Sequence, residues 1–199
     1  YILVIFLLVL LLNVNNLNLP YYWDDFNYVI PAVDYVYNNY PTIFLWEYGL
    51  GHPPFFFILA GLIFKMLGNS QIVGHSIILM FSFLAVVFTY FLGKELFKGP
   101  HEKAAGLFAG ILAAVVPAFV YRTMGGFFED DSFGFLWMVI GFVFLVRATR
   151  TPQLTIPKMM DALLAGVGFG LMVLSWSGYN QLLPILLGIG FVQFWVWMQ

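Results

Sequence analysis

The chain contains no cysteine and little charge, and both absences narrow its possible functions. Its 199 residues include no Cys, only 9% charged residues and a formal net charge of −2. Without cysteine, a disulfide framework, a thiol nucleophile and a thiolate metal site are excluded. Without an excess of basic residues, no surface suits nucleic acid. The P-loop, the GxGxxG dinucleotide fingerprint and the GxSxG nucleophile elbow are also absent from the sequence.

Apolar residues fill most of the chain instead. They make up 62% of the sequence, and the mean hydropathy is +0.90. A soluble domain of this length cannot bury so much apolar surface, so we expect an all-α integral membrane protein built as a polytopic helix bundle. The long apolar segments are about 1–19, 53–68, 72–93, 104–121, 132–147, 160–176 and 180–199.

The segment 53–68 decides the predicted topology. It is short for the ~20 residues that a membrane helix needs, and it opens with Pro53-Pro54. If it lies in the interface, six of the eight basic residues fall on one side of the membrane, as the positive-inside rule favours. We therefore predict about six crossings: a first span at 1–19, a long outer loop at 20–71 with interfacial helices, and five further spans within 72–199. The six basic residues are Lys94, Lys98, Lys103, Arg147, Arg150 and Lys158.

One arginine and three adjacent carboxylates stand out in the segment Arg122-Thr-Met-Gly-Gly-Phe-Phe-Glu-Asp-Asp131. Adjacent carboxylates repel one another, so we expect either a divalent metal ion bound through oxygen or pairing with Arg122. Glu129 and Asp131 would point at one cation if the segment is extended. The alternatives are a solvated loop, acids that favour the dipole of the following helix, and an Arg122 side chain that snorkels to the headgroups.

A second acidic pair, Asp24-Asp25, follows the first span. On the predicted topology it shares the outer face with Glu129, together with most of the other acids. Its carboxylates can bind a metal ion or accept a proton. Alternatively, one of them caps an amphipathic helix predicted at 25–39.

Three further residues are weaker candidates for contacts with substrate. His52 lies in the rigid turn Gly51-His-Pro-Pro54, where it is structural or contacts a lipid phosphate. Trp176 and Tyr179 lie in the short outer turn between the last two spans and fit an interfacial aromatic belt. Close contacts between helices would suit the glycines at 166, 168, 170, 188 and 190.

The order of these features resembles that of the catalytic subunit of oligosaccharyltransferase, a family of the C-type membrane glycosyltransferase superfamily. The similarity rests mainly on the Arg122 to Asp131 segment with its following span, and also on the turn Trp176-Ser-Gly-Tyr179. It runs across nearly all 199 residues. It implies a single C-type transmembrane glycosyltransferase domain over 1–199, which would be the N-terminal part of the family's membrane domain and a piece of a longer protein.

The resemblance implies transfer of an oligosaccharide from a polyprenyl phosphate or diphosphate to asparagine in the Asn-x-Ser/Thr sequons of an acceptor protein or peptide. It implies Mn²⁺ or Mg²⁺ as cofactor and an active face on the extracytoplasmic or lumenal side. Asp24, or failing that Asp25, resembles the aspartate that binds metal and contacts the acceptor amide. Glu129 and Asp131 resemble the two acidic metal ligands of the second motif, and Arg122 resembles the arginine that precedes it.

Several features leave alternatives open. The Asp24-Asp25 pair and the His-Pro-Pro turn resemble equally the protein O-mannosyltransferases and the aminoarabinose transferases, which take a single sugar from a polyprenyl phosphate. The later outer-loop glutamate of the oligosaccharyltransferases, and their soluble domain with a Trp-Trp-Asp motif, are not in this chain. Outside the superfamily, the alternatives are a non-catalytic membrane assembly subunit and a channel with an acidic cation vestibule.

Overall fold

The computed structural model describes residues 4, 7–9, 11, 55–68, 71–123, 128–150, 155–176, 178, 180 and 182–197, and within them the regular structure is helical. The prediction of an all-α protein is confirmed for this part of the chain. The helices with defined bounds are α1 (Phe55–Leu67), α2 (Gln71–Leu96), α3 (Glu102–Val115), α4 (Pro117–Thr123), α5 (Asp131–Thr149), α6 (Ile156–Val173) and α7 (Leu182–Trp197).

Three of these helices, α2, α5 and α6, are long and apolar enough to cross a membrane. This supports the expectation of an integral membrane protein, because a membrane helix needs ~20 predominantly apolar residues. The count of six crossings stays a prediction. Most of the first span and of the proposed outer loop 20–71 lies outside the described residues.

Helices α2 and α5 run parallel to each other. The ring centroids of Phe81, in the N-terminal half of α2, and Phe133, in the first turn of α5, lie 4.5 Å apart. At their C-terminal ends, Nη2 of Arg150, which follows α5, lies 3.0 Å from Oε2 of Glu95 in the last turn of α2. The intervening helix α3 therefore returns along α2, and α6 returns along α5. The basic C-terminal ends of α2 and α5 consequently meet at one end of the bundle, here called the basic end, and Arg122 and its acids lie at the other, the acidic end.

The basic end is neutralised locally. Glu95, Glu102 and Asp161 each pair there with a basic side chain, as in the 3.2 Å contact between Arg147 and Asp161. These are three of the ten acids of the chain. The six acids among the described residues are thus divided between the two ends, three at the basic end and three, Glu129, Asp130 and Asp131, next to Arg122 in the motif.

Glycines set how closely the returning helices approach. A Cβ on Gly106 of α3 would lie 2.7 Å from the carbonyl oxygen of Tyr90 in α2, and one on Gly168 of α6 would lie 2.8 Å from the backbone nitrogen of Gly141 in α5. Close helix contacts are also expected at the other glycines of α6 and α7, but within the described structure this expectation is wrong. A Cβ would meet no atom within 4 Å at Gly166, Gly170, Gly188 or Gly190.

The predicted continuous span at 104–121 is broken. Helix α3 ends at Val115, and Val116 has φ −63° and ψ 124°, an extended conformation. Pro117 explains the break, since its ring disfavours a helical residue before it and it has no N–H to donate. The chain restarts as α4 with Pro117 in its first turn, where the missing donor costs nothing. Phe119 then packs against Phe135 of α5, with ring centroids 5.3 Å apart.

Both ends of the short helix α1 lie at the acidic end of the bundle. Its first N–H, from Phe55, donates to the carbonyl of Leu174 beyond the end of α6 at 3.0 Å. Its last residue, Leu67, comes shortly before Gln71, where α2 begins. Between these two ends, Phe56 and Phe64 both pack against Phe128, with ring centroids 5.4 and 5.5 Å from that of Phe128. Helix α1 therefore lies across this end rather than running along α2.

Candidate functional site

Arg122 meets two of the three acids of its motif. It lies in the last turn of α4, and the break at Pro117 directs this helix onto α5. Its Nη1 lies 2.5 Å from Glu129 Oε2, and its Nε lies 3.5 Å from Asp131 Oδ2. Pairing of Arg122 with carboxylate, one of the two arrangements expected from the sequence, is therefore observed.

The three acids occupy different environments. Glu129 and Asp130 are buried, whereas Asp131 is partly exposed as the first residue of α5. Asp130 is helical, with φ −79° and ψ −8°, and its side chain makes no capping hydrogen bond to α5. The middle residue of the segment is therefore not extended, so the condition for strand-like alternation is not met there. A bend at Asp130, rather than strand-like alternation, brings Glu129 and Asp131 to the same arginine.

Trp176 completes the surroundings of Asp131. It follows the end of α6, and its indole Nε1 donates to Asp131 Oδ1 at 2.6 Å. Gly134, one turn further along α5, leaves the space that the Trp176 ring fills. A Cβ on Gly178 would lie 2.5 Å from Cε2 and Cζ2 of the same ring. The sequence assigned Trp176 to an aromatic belt, whereas the structure shows that its polar atom binds a carboxylate.

A cavity of about 300 Å³ opens beside these residues. Arg122, Asp131, Ser132 and Trp176 supply its polar lining, and apolar side chains of α3, α4 and α5 supply the rest. Ser132 is buried, and its Oγ has no hydrogen-bond partner among the described residues. The cavity can therefore take a molecule that is polar at one side and apolar at the other.

The described carboxylates fit part of a site for a hard cation. Glu129 and Asp131 offer oxygen ligands, which Mg²⁺ and Mn²⁺ prefer, and both already approach one cationic group, Arg122. The described part of the chain holds no group of three His, Cys, Asp or Glu residues able to bind a metal ion. Further ligands would have to come from elsewhere, and the predicted one is Asp24.

The remaining predicted site residues, Asp24, Asp25, His52 and Tyr179, lie outside the described residues. Sequence reasoning missed Ser132 and Gly134. A glycine inside an apolar helix is a recognisable signal of close packing, so Gly134 could have been found. Nothing in the sequence distinguishes Ser132 from other serines next to a helix start.

The fold and the site together define a class, a helix-bundle membrane protein with an arginine and carboxylates paired at one end. Residues 48–198 match the family described as Oligosaccharyl transferase STT3, N-terminal. The chain belongs to that family, and the resemblance seen in its sequence is confirmed.

Individual relatives agree with this assignment. The STT3B subunit of dolichyl-diphosphooligosaccharide–protein glycosyltransferase from Arabidopsis thaliana is 31% identical over 90 residues, 45% of this chain and 11% of the relative. Dolichyl-phosphooligosaccharide-protein glycotransferase 3 of Archaeoglobus fulgidus is 32% identical over 119 residues, 56% of this chain and 13% of the relative. The chain thus spans only a small part of the length of these curated proteins.

Solved structures share the fold. The Archaeoglobus fulgidus oligosaccharyltransferase in complex with Zn and sulfate matches 94% of this chain and 26% of its own, with a TM-score of 0.75 and 22% identity. The same enzyme tethered to an acceptor peptide containing the NVT sequon matches with a TM-score of 0.73 and 21% identity.

Proposed function

We propose that the protein carrying these residues is an oligosaccharyltransferase, which transfers an oligosaccharide from a polyprenyl phosphate or diphosphate to asparagine in Asn-x-Ser/Thr sequons. The observation that carries the proposal is the contact of Arg122 with both Glu129 and Asp131, inside the region that matches the family. The names of the curated relatives and the acceptor peptide in one solved relative support the same reaction. The active face would be the extracytoplasmic or lumenal one.

The proposed transfer releases the polyprenyl phosphate or diphosphate as leaving group, so the site needs a group that binds phosphate. The side chain of Arg122 is 51% exposed, so part of its guanidinium can reach a ligand while Nη1 holds Glu129. A planar guanidinium suits phosphate oxygens, which it binds through parallel hydrogen bonds. The adjoining cavity has an apolar wall that suits the first carbons of the lipid. Arg122 would thus orient the donor at the head of α5.

The acids would hold a cation beside that phosphate. Glu129 and Asp131, with Asp24, would bind Mn²⁺ or Mg²⁺, which supplies Lewis-acid stabilisation of the charge that develops on the leaving group. Asp24 or Asp25 would polarise the acceptor amide by accepting its hydrogen bond. The buried position of Glu129 keeps its carboxylate in one orientation, since neighbouring side chains leave it little freedom.

Asp131→Asn tests the proposal against Asp161→Asn in the complete protein. Both acids pair with an arginine, Asp131 with Arg122 and Asp161 with Arg147, but at opposite ends of the bundle. We expect Asp131→Asn to lower transfer to an Asn-x-Thr peptide by ~10²–10³-fold, the usual cost of one electrostatic contact in the transition state. Asp161→Asn should leave transfer close to the parental rate.

Binding of the lipid-linked donor separates an enzyme from an assembly subunit. The parental protein should bind and consume the donor, and equal transfer by the two variants would contradict the catalytic role of Asp131. Transfer of a single sugar from a polyprenyl phosphate, with no transfer from a diphosphate-linked oligosaccharide, would favour the monosaccharide-transferring branches instead.

A further inference from the structure

The two oxygens of the Asp131 carboxylate have different partners. Oδ1 accepts the indole N–H of Trp176 at 2.6 Å, and Oδ2 faces Arg122 Nε at 3.5 Å. The terminal torsion of an aspartate is broad when nothing holds it. The hydrogen bond from Trp176 on one side and the ionic contact with Arg122 on the other restrict the plane of this carboxylate and leave Oδ2 towards Arg122.

The two partners differ in charge, and this gives them different effects. Arg122 is charged, so its contact with the carboxylate also offsets part of the negative charge of Asp131. The indole N–H of Trp176 is a donor without charge, so it orients Asp131 while leaving its negative charge available. A neutral donor is what a carboxylate needs if it must also bind a cation, as outer hydrogen-bond partners of metal ligands commonly do.

The position of Trp176 is itself fixed by packing. Its ring lies against two glycines, Gly134 of α5 and Gly178 of the outer turn, and any side chain at either position would overlap it. Its own backbone N–H donates to the carbonyl of Met172 at 3.0 Å, which attaches it to the end of α6. The indole therefore reaches Asp131 from a slot that has little room for another orientation.

A second tryptophan on the same helix as Asp131 provides a contrast. The Nε1 of Trp137 is buried without a hydrogen-bond partner among the described residues, and its ring packs edge-on against Phe133. Packing alone thus places an indole in this bundle without satisfying its N–H. The hydrogen bond of Trp176 is a separate feature of the site.

We propose that Trp176 is a positioning residue, which holds the Asp131 carboxylate so that Oδ2 faces Arg122 and a bound cation. This rests on the proposed function for the identity of the cation, but the hydrogen bond itself does not depend on it. This role acts through Asp131 and differs from the substrate contact that the sequence predicts for Trp176.

The test compares Trp176→Phe with Trp137→Phe in the complete protein. Each change removes one indole N–H and keeps an aromatic ring, but only the first removes a hydrogen bond to a carboxylate. We expect Trp176→Phe to weaken Mn²⁺ binding, measured by electron paramagnetic resonance of free Mn²⁺, by about 10–100-fold. Trp137→Phe should bind Mn²⁺ like the parent, and both variants should melt at similar temperatures. Gly178→Ala, which displaces the ring and keeps the N–H, should weaken Mn²⁺ binding as well.

A second measurement tests the hydrogen bond without any cation. In protein labelled with ¹⁵N-tryptophan, the indole resonance that Trp176→Phe removes should move when Asp131 is changed to Asn, and the Trp137 resonance should stay. Parental Mn²⁺ affinity in Trp176→Phe would overturn the proposal. If the parent itself binds no Mn²⁺, the metal site of the proposed function is wrong. In that case the nuclear magnetic resonance measurement decides the positioning role: a Trp176 resonance that does not move in Asp131→Asn would overturn it.

Discussion

The Arg122 guanidinium lies 2.5 Å from the carboxylate of Glu129, and the two side chains differ greatly in exposure, at 51% and 8%. A buried carboxylate is costly unless it is paired. The positive charge of Arg122 therefore offsets part of the cost of burying the Glu129 carboxylate, and the effect of removing either residue depends on whether the other is still present.

Arg122→Ala should lower the melting temperature, because it leaves Glu129 buried without the charge of this arginine. Breaking a fully buried pair costs about 3–5 kcal/mol, and the half-exposed Arg122 should cost less because solvent screens it. Adding Glu129→Gln to Arg122→Ala should restore part of the loss, since a neutral amide needs no counter-charge. Thermal unfolding in detergent compares Arg122→Ala, Glu129→Gln and the double variant with the parent. If the double variant loses at least as much melting temperature as the two single variants lose together, the effects of Arg122 and Glu129 do not depend on each other.

Asp24→Ala should lower sugar transfer much more than Asp34→Ala or Glu47→Ala. All three acids lie in the predicted outer loop and outside the described residues, and only Asp24 belongs to the motif beside the first span. We expect a loss of ~10²–10³-fold for Asp24 alone. Folding is checked by melting temperature, because loss of a helix cap costs about 1 kcal/mol. A folded Asp24→Ala protein that transfers sugar as fast as Asp34→Ala would leave helix capping as the role of Asp24.

Ser70→Cys should react with a membrane-impermeant thiol reagent from the outer side. Ser70 directly precedes α2, whose N-terminal half packs at the same end as Phe133 and Asp131. His101→Cys, in the exposed turn between α2 and α3, should react only from the cytoplasmic side. The absence of native cysteine from this chain keeps the labelling specific. Reaction of both positions from one side would rule out the predicted topology.

Gly168→Ala should lower the melting temperature more than Gly166→Ala. A Cβ at Gly168 would lie 2.8 Å from the backbone nitrogen of Gly141, which cannot move aside as a side chain can. Overpacking of this kind typically costs about 1–3 kcal/mol. A Cβ at Gly166 meets no atom within 4 Å. Equal melting temperatures for the two variants would show that the contact between α5 and α6 is looser than described.

The sequence by itself determined the helical class and the two charged ends. Several apolar runs are long enough to cross a membrane, and a run of that length has few alternatives to a membrane helix. The predicted segment 132–147, for example, matches both ends of α5 within two residues. The pairing of Arg122 with acid was also predictable, since the residues are close in sequence and opposite in charge. The break at Pro117 was visible in principle, but the apolar run continues through it and concealed the end of α3.

Only the tertiary structure decided which distant residues meet. Trp176 and Asp131 are 45 positions apart, and nothing in either segment specifies the other. Gly166 and Gly168 are the same residue type in the same helix, yet only Gly168 touches α5. The physical reason is that the helical period fixes the face on which a residue lies, whereas its neighbour depends on how the helices pack, and that is a property of the whole bundle.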